Sequence, residues 1–370
     1  MTPISEGNER RSARRDIWTG IVVCAAALLY PLFDPGNYVL SQFALLFIWA
    51  AVVTQWNLVF GIAGILSLGH MAIFAIGGYA TAMAGLYWHW NLWAALPVGA
   101  LASVIASVVM GAATLRLRGP YVAIMTLAIS QVLYSLILTD VACFTYRQQV
   151  CINFSGGATG LSRYGDFGFN QMLGFKHRVL GDYYLCLALL IVGSVFAFLI
   201  VYSALGATFR ALRDNRICAE ARGVDAVKYQ LVVFAMSGVF TGLAGGVFAG
   251  INHSLGPDVL SPALLLFVLS MMVVGGRGTK WGPILGAAAL MLADIILRDF
   301  PAIRVGGLSL IIILFMIFLP RGLAGLVEAI FHWRPVDAAR SPPADVNYRQ
   351  FQRFRTPKKT PFRSVSTRLG

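Results

Sequence analysis

Seven charged side chains crowd one short stretch, "FRALRDNRICAEARGVD", residues 209–225. Arg210, Arg213, Arg216 and Arg222 face Asp214, Glu220 and Asp225 there. Arg216 and Glu220 stand at i and i+4, the spacing of an ion pair on a helix. Ala211, Leu212, Ile217, Ala219, Ala221 and Val224 give the stretch helical apolar spacing, and Gly223 is a residue that stops helices. Two readings stay open from the pattern: a solvated loop whose charges set membrane topology, or an amphipathic helix that docks a partner.

Other polar groups are sparser. Asn57, Ser67 and His70 lie among Gly61, Gly64 and Gly69, and Thr126, Ser130 and Gln131 sit in a later apolar run. Polar groups inside apolar helices are candidates for a solute path. Asn57, Ser67, His70 and Gln131 are taken as that set, with hydrogen-bonded helix packing as the plainer alternative. Asp294 and Arg298, four residues apart, form a local ion-pair pattern. Cys143 and Cys151 in "CFTYRQQVC" are a candidate disulfide, while Cys24, Cys186 and Cys218 read as small apolar fillers.

Metal, hydrolytic and nucleotide chemistry lack their signatures. His70, His89, His177, His253 and His332 are far apart, with no H-E-x-x-H or Cys-x-x-Cys spacing. No Ser/His/Asp set suggests itself. "GGRGTKWGP" resembles a phosphate-binding loop, but Lys280 is followed by Trp281 and the glycine spacing is wrong. The chain is therefore expected to bind no metal or cofactor, and any ATP and Mg²⁺ belong to other subunits.

The elements that must position these residues follow from composition. The 370 residues are 58% hydrophobic and 12% charged, with a mean hydropathy of +0.73. Soluble domains carry about 25% charged residues, so most of this chain is not facing water. Backbone satisfaction in lipid favours helices, and the alternation of a membrane barrel is absent. The expected class is all-α and polytopic, with ten spans near 17–33, 38–57, 67–88, 92–113, 120–139, 183–204, 228–251, 263–275, 282–298 and 306–325. Segment 57–67 reads as an interfacial or broken piece. "TGLAGGVFAG" sets Gly242, Gly246 and Gly250 on one helix face, the pattern of a close helix–helix seam.

Charge fixes the expected orientation. With the N-terminus inside, the inside segments hold 23 of the 29 Lys and Arg and the outside segments 6, as the positive-inside bias requires. The net charge of +13 thus reports topology rather than nucleic-acid binding. Residues 1–16 form a basic cytoplasmic tail, 17–325 the membrane domain, 140–182 a periplasmic segment and 204–227 a cytoplasmic loop. Residues 334–370 read as a basic disordered cytoplasmic tail that lies on anionic lipid. Burying the seven charges of 209–225 would cost on the order of 20 kcal/mol at about 2.5–3.5 kcal/mol each, so the island must leave the hydrocarbon.

The island belongs to a longer pattern. "GATFRALRDNRICAEARGVDAVKYQLVVFAMSGVFTGLAGGVFA", "NLVFGIAGILSLGHMAIFAIGGYATA", "LRLRGPYVAIMTLAISQVL", "FSGGATGLS" and "VVGGRGTKWGPILGAA" together resemble the branched-chain amino acid ABC transporter permeases, across roughly 50–325. The likeness is to the larger of the paired permeases. It implies a multi-pass subunit of a bacterial inner-membrane importer, with both termini cytoplasmic. It also implies a second permease, two ABC ATPases and a periplasmic substrate-binding protein as partners in the lipid bilayer. By resemblance, Glu220, Ala221 and Gly223, with Arg210, Arg213 and Asp214, belong to the loop that couples ATPase motion to the spans. Here only Arg222 separates "EA" from Gly223, so the second alanine of the family's loop is missing. "SGGATGLS", Ser155 to Ser162, either receives the binding protein, borders the entrance, or is a loop without contacts. The rival classes are a urea or amide permease, an ion-coupled secondary transporter and a membrane enzyme. The second would require a midplane carboxylate, which Asp294 with Arg298 beside it does not supply.

Overall fold

The computed structural model describes residues 19–20, 22–33, 36–117, 119–147, 150–169, 174, 178–298, 301–319 and 322–331. The tails expected at 1–16 and 334–370 lie outside the described residues. Residues up to Val327 form one compact unit, and of the second, from Glu328 onward, only the end of a helix is described.

Helices follow the apolar runs: α1 Val22–Phe33, α2 Asn37–Asn57, α3 His70–Tyr87, α4 Leu92–Ala113, α5 Pro120–Leu138 and α6 Arg178–Tyr202. Two short helices, α7 Ala204–Asp214 and α8 Arg216–Ala221, precede α9 Ala226–Asn252. Then come α10 Pro262–Gly275, α11 Gly282–Leu297, α12 Pro301–Phe318 and α13 Gly322–Phe331. Among the described residues, α2 with its extension to Ile62, α4, α5, α6 and α9 are long and apolar enough to cross a membrane. The chain is a polytopic all-α membrane protein. The last span differs from expectation: the helix ends at Phe318, and α13 starts anew at Gly322. A proline at 320 has no N–H with which to continue a helix. The sixth span also starts earlier than expected, at Arg178, with Arg178 paired to Asp182 at 3.7 Å.

The packing inverts the usual soluble pattern. α4 turns Leu101, Ile105 and Val109 outward and buries Gly99, Ser103, Ser107 and Gly111. Those small residues meet the glycine face of α9. A Cβ at Gly242 would lie 2.1 Å from Ser103 Oγ, one at Gly246 2.6 Å from Thr81 Oγ1, and one at Gly250 2.2 Å from the Phe167 ring. Gly77 of α3 closes the same seam, since its Cβ would stand 2.5 Å from Gly242 Cα. Lipid offers no hydrophobic drive between helices, so close backbone contact supplies the attraction. α2 is the central post, and every residue from Leu46 to Val59 is buried.

At the end away from the charged island, β1 Cys143–Arg147 and β2 Val150–Asn153 form an antiparallel hairpin. Cys143 is disulfide-bonded. The register sets Cys151 opposite Tyr146, but the Cys151 side chain lies outside the described ones. The "SGGATGLS" segment is packed rather than loose. Ser155, Gly156 and Gly157 are buried. β3, Leu161–Ser162, pairs with β4, Ser254–Leu255, between α9 and α10. Gly160, at φ +74°, admits that approach, since a Cβ there would sit 2.4 Å from Leu255 O.

Candidate functional site

The charged island is two helices, not the single one expected. Asn215 adopts φ −155°, ψ 97° and ends α7. Its side-chain oxygen then accepts from Cys218 N–H at 3.0 Å and caps α8. A short amide competes with the helical backbone in this way, which breaks a run whose apolar spacing looks continuous. α8 closes on Gly223, φ +87°, with Gly223 N–H donating to Glu220 O at 2.9 Å and Val224 N–H to Ala219 O at 3.2 Å. Asp225 caps α9 by accepting from Val227 and Lys228 N–H.

The charges within the island are locally paired. Arg216 meets Glu220 at 2.8 Å and Arg213 meets Asp214 at 3.1 Å. Exposed pairs of this kind contribute about 0–1 kcal/mol each. Arg210 donates to Val201 O at 3.0 Å and ties α7 back to α6. Phe209 and Ala219 are buried, while Ala221 is exposed and Ile217 is 76% exposed. An aliphatic side chain therefore stands free on the outer surface of the helix pair.

Beneath the island, α2 is broken. Its helix passes into a π-turn at Leu58–Ile62, and the chain then runs without helix to Gly69. Arg213 donates from Nη1 to Gly61 O at 2.9 Å. Gly64, at φ +72°, lets the arginine pass, since a Cβ there would be 2.3 Å from Arg213 Cγ. Asn57, 5% exposed, grips a third segment. Its Nδ2 donates to Thr279 O at 2.9 Å, and its Oδ1 accepts from Gly278 N–H at 2.8 Å. "GGRGTKWGP", the imperfect phosphate loop, is thus fastened to the break. Lys280 donates to Tyr202 OH at 2.5 Å, and Trp281 packs on Phe198.

Asn57, Ser67 and His70 do not gather as one cluster. Trp56 donates to Ser67 O at 2.8 Å and stacks on His70 with ring centroids 5.2 Å apart. His70 Nε2 meets Ser237 Oγ at 2.8 Å, and Ser237 donates to Gln55 O at 3.0 Å. The serine's one hydrogen is used there, so His70 donates from Nε2. Gln55 Nε2 donates to Gly193 O at 2.9 Å, and Leu68 N–H donates to Thr126 Oγ1 at 2.9 Å. These bonds fasten the broken segment to α5, α6 and α9. Sequence reasoning missed Gln55, Trp56 and Ser237 because their partners lie 11 to 182 residues away. The glycine density around the break was the one available signal.

Two cavities flank the middle of the molecule, and α5 lines both. One of about 200 Å³ lies under the island, bordered by Gly64, Val122, Arg213 and Gln230. The other, about 360 Å³, lies between α3 and α5 at the opposite end. Neither is lined by Asn57, Ser67 or His70. Gln131, on α5 between them, has a buried Nε2 without a hydrogen-bond partner. Among the described residues no three His, Cys, Asp or Glu side chains gather as metal ligands.

Comparison with known proteins places this architecture. Residues 38–319 match the family described as branched-chain amino acid transport system / permease component. A high-affinity branched-chain amino acid transport system permease protein, LivM, from Salmonella typhimurium is 30% identical over 288 residues. Its counterpart from Escherichia coli K12 is 29% identical over 288 residues. Each match covers 72% of this chain and 65% of the relative, so the chain spans just under two thirds of those proteins' length. An L-arabinose ABC transporter permease protein, AraH, from Azospirillum brasilense is 30% identical over 40% of this chain and 42% of its own. No solved structure gives a significant match.

Proposed function

Because this chain belongs to the branched-chain amino acid transport system permease family, we propose that it is the membrane-spanning subunit of an ABC importer that carries branched-chain amino acids or close analogues into the cytoplasm. Two ABC ATPase subunits hold the ATP and Mg²⁺, and one of them docks on α7 and α8. A second permease completes the membrane channel, and a periplasmic binding protein delivers the solute. The chain lies in the bacterial inner membrane with both tails in the cytoplasm, as its arginine distribution argues. Cys143 pairs with Cys151 in the periplasmic hairpin, where the compartment is oxidising.

One observation carries this reading: Arg213 of the island holds the carbonyl of Gly61 in the broken part of α2. A partner that shifts α7 and α8 therefore pulls directly on the central post. Through Asn57 the same pull reaches the 276–281 connection and so α10 and α11. Exposed Ile217 offers the partner an apolar anchor beside the charges. Glu220, Ala221 and Gly223 shape that surface, Arg210 and Asp214 brace it, and ATP-driven closure of the ATPases moves it.

The test is reconstitution of the chain with its three partner subunits and the binding protein in vesicles, with ATP hydrolysis and leucine uptake measured together. Ile217→Asp should leave the membrane domain folded but reduce ATPase co-purification and uptake at least tenfold. Concentrative uptake by this chain alone, without any ATPase, would refute the proposal.

A further inference from the structure

Along α3 every residue is buried except Ile76, Ala80, Met83 and Tyr87. These four stand at i, i+4, i+7 and i+11, on one face of the helix. Ile76 and Met83 line the cavity of about 360 Å³ against Leu133, Leu136 and Ile137 of α5. Leu136 is 62% exposed, so the cavity is a cleft that reaches the outer surface of the bundle. Its wall is almost wholly apolar. Asp140, at the rim, is engaged with Ser155, whose N–H and Oγ both donate to its Oδ2, at 2.5 and 2.6 Å.

Depth and chemistry decide what fills this cleft. α5 has 19 residues. At 1.5 Å per residue that is about 28 Å, close to the hydrocarbon thickness of about 30 Å. Leu133, Leu136 and Ile137 lie in its last turns, so the cleft is inside the hydrocarbon layer, at the end away from the charged island. Water in a cavity needs several polar partners, and this wall offers almost none. A polar solute would lose its hydration there without compensation. An empty cleft would forfeit dispersion contacts along both helices. Apolar molecules do enter such spaces: a dry cavity of about 150 Å³ with a similar lining binds benzene.

Above the cleft the side chains turn aromatic. The rings of Tyr87, Phe144 and Phe154 interlock, with centroids 5.3 to 6.1 Å apart. Tyr87 OH donates to Phe154 O at 2.8 Å, and Phe154 also lines the cavity. Exposed Trp88 and Trp90 follow Tyr87 and pack on each other. Tyrosine and tryptophan at the end of a span mark the headgroup level of a bilayer.

We propose that the cleft between α3 and α5 is a seat for one acyl chain of a phospholipid in the leaflet opposite the charged island, with the aromatic rim at its headgroup. The chain lies along Ile76 and Met83, with Ala80 on the same stripe, and against Leu133 and Ile137. It supplies packing that α5 lacks at this end. α5 buries Val122, Ala123, Thr126 and Ser130 in the half nearer the island and, beyond them, Ile137 alone. The lipid thus braces the helix whose Thr126 hydroxyl holds Leu68. Nothing in this seat depends on which solute the chain carries.

For the test, cells expressing the full chain are grown with a diazirine fatty acid, which enters their phospholipids. Their membrane vesicles are illuminated with all partners in place, and labelled peptides of the chain are mapped by mass spectrometry. The outward face of α4, at Leu101, Ile105 and Val109, is the reference for ordinary lipid contact. Label should appear on α3 at Ile76, Ala80 or Met83, in a yield comparable with that face. Leu133→Trp fills the cleft and should remove most of the α3 label while the α4 label persists. Ile137→Phe, a smaller filling one turn on, should remove part of it, and Leu133→Met, of similar volume, should keep it. An unlabelled α3 beside a labelled α4 in the wild-type chain would overturn the seat, and is the outcome if a helix of a partner subunit fills the cleft. So would α3 label that stays unchanged in both filling variants.

Discussion

Asn57→Ala should release the 276–281 connection from the central helix. Asn57 makes two hydrogen bonds to that connection, at 2.8 and 2.9 Å. Each intramolecular bond has a net value of about 0.5–1.5 kcal/mol, and stranded partners add desolvation. Gly278 and Thr279 are half-buried, so water reaches them in part and the penalty stays at the low end. The sum is about 2–3 kcal/mol for the local contact. At about 1.4 kcal/mol per factor of ten, opening of the connection becomes roughly 30- to 150-fold easier. The reporter is the Gly278 amide, because it donates directly to Asn57 Oδ1. Hydrogen–deuterium exchange of the peptide holding Gly278 should accelerate by that factor, with α5 amides unchanged as control. Asn57→Asp keeps the acceptor for Gly278 but cannot donate to Thr279, and should fall between. Exchange within about threefold of wild type in Asn57→Ala would refute the claim that this residue fastens the connection, since that is less than one ordinary hydrogen bond.

Further outcomes follow from the same geometry. Gly64→Ala should impair uptake per ATP hydrolysed far more than Gly119→Ala. Both glycines have positive φ, but only a Cβ at Gly64 meets Arg213, and at Gly119 nothing lies within 4 Å. Equal effects in a transport and ATPase assay would mean that backbone strain alone matters. Gly242→Val should cost about 1–3 kcal/mol or more by overpacking against Ser103, read as a lowered Tm and loss of monodisperse protein, whereas Gly36→Ala should be silent. His253 accepts from the Arg178 guanidinium. Burial, then the Arg178 charge, holds the imidazole below its ordinary 6.5. The neutral form is the bound one, so this contribution to stability is fully present above about pH 6.5. It declines as pH falls from there toward the lowered value, where the folded state takes up its proton. The Tm should drop between pH 7.5 and 5.5 more in wild type than in His253→Asn, a residue that tolerates the positive φ.

The apolar runs alone determined that the chain is a bundle of membrane helices, and among the described residues helices lie along the expected runs, with the last of them ending early at Phe318. The seven charges of 209–225 likewise determined their own exclusion from the bilayer, because ion burial is costly wherever the chain folds. Glycine spacing foretold the α9 seam. Three things were decided only in three dimensions. α2 reads like any other span, yet it is enclosed by protein from Leu46 to Val59. Local hydropathy cannot tell lipid from protein as an apolar neighbour. The grouping of Asn57, Ser67 and His70 looked like a polar path by proximity in sequence. In the fold Asn57 instead holds Gly278 and His70 meets Ser237, contacts 221 and 167 residues away. The Tyr79 hydroxyl is buried without a hydrogen-bond partner, which is visible only once every neighbour has been placed. Side-chain type sets what a group can bond, but tertiary packing decides which bonds are made and which polar atoms stay unpaired.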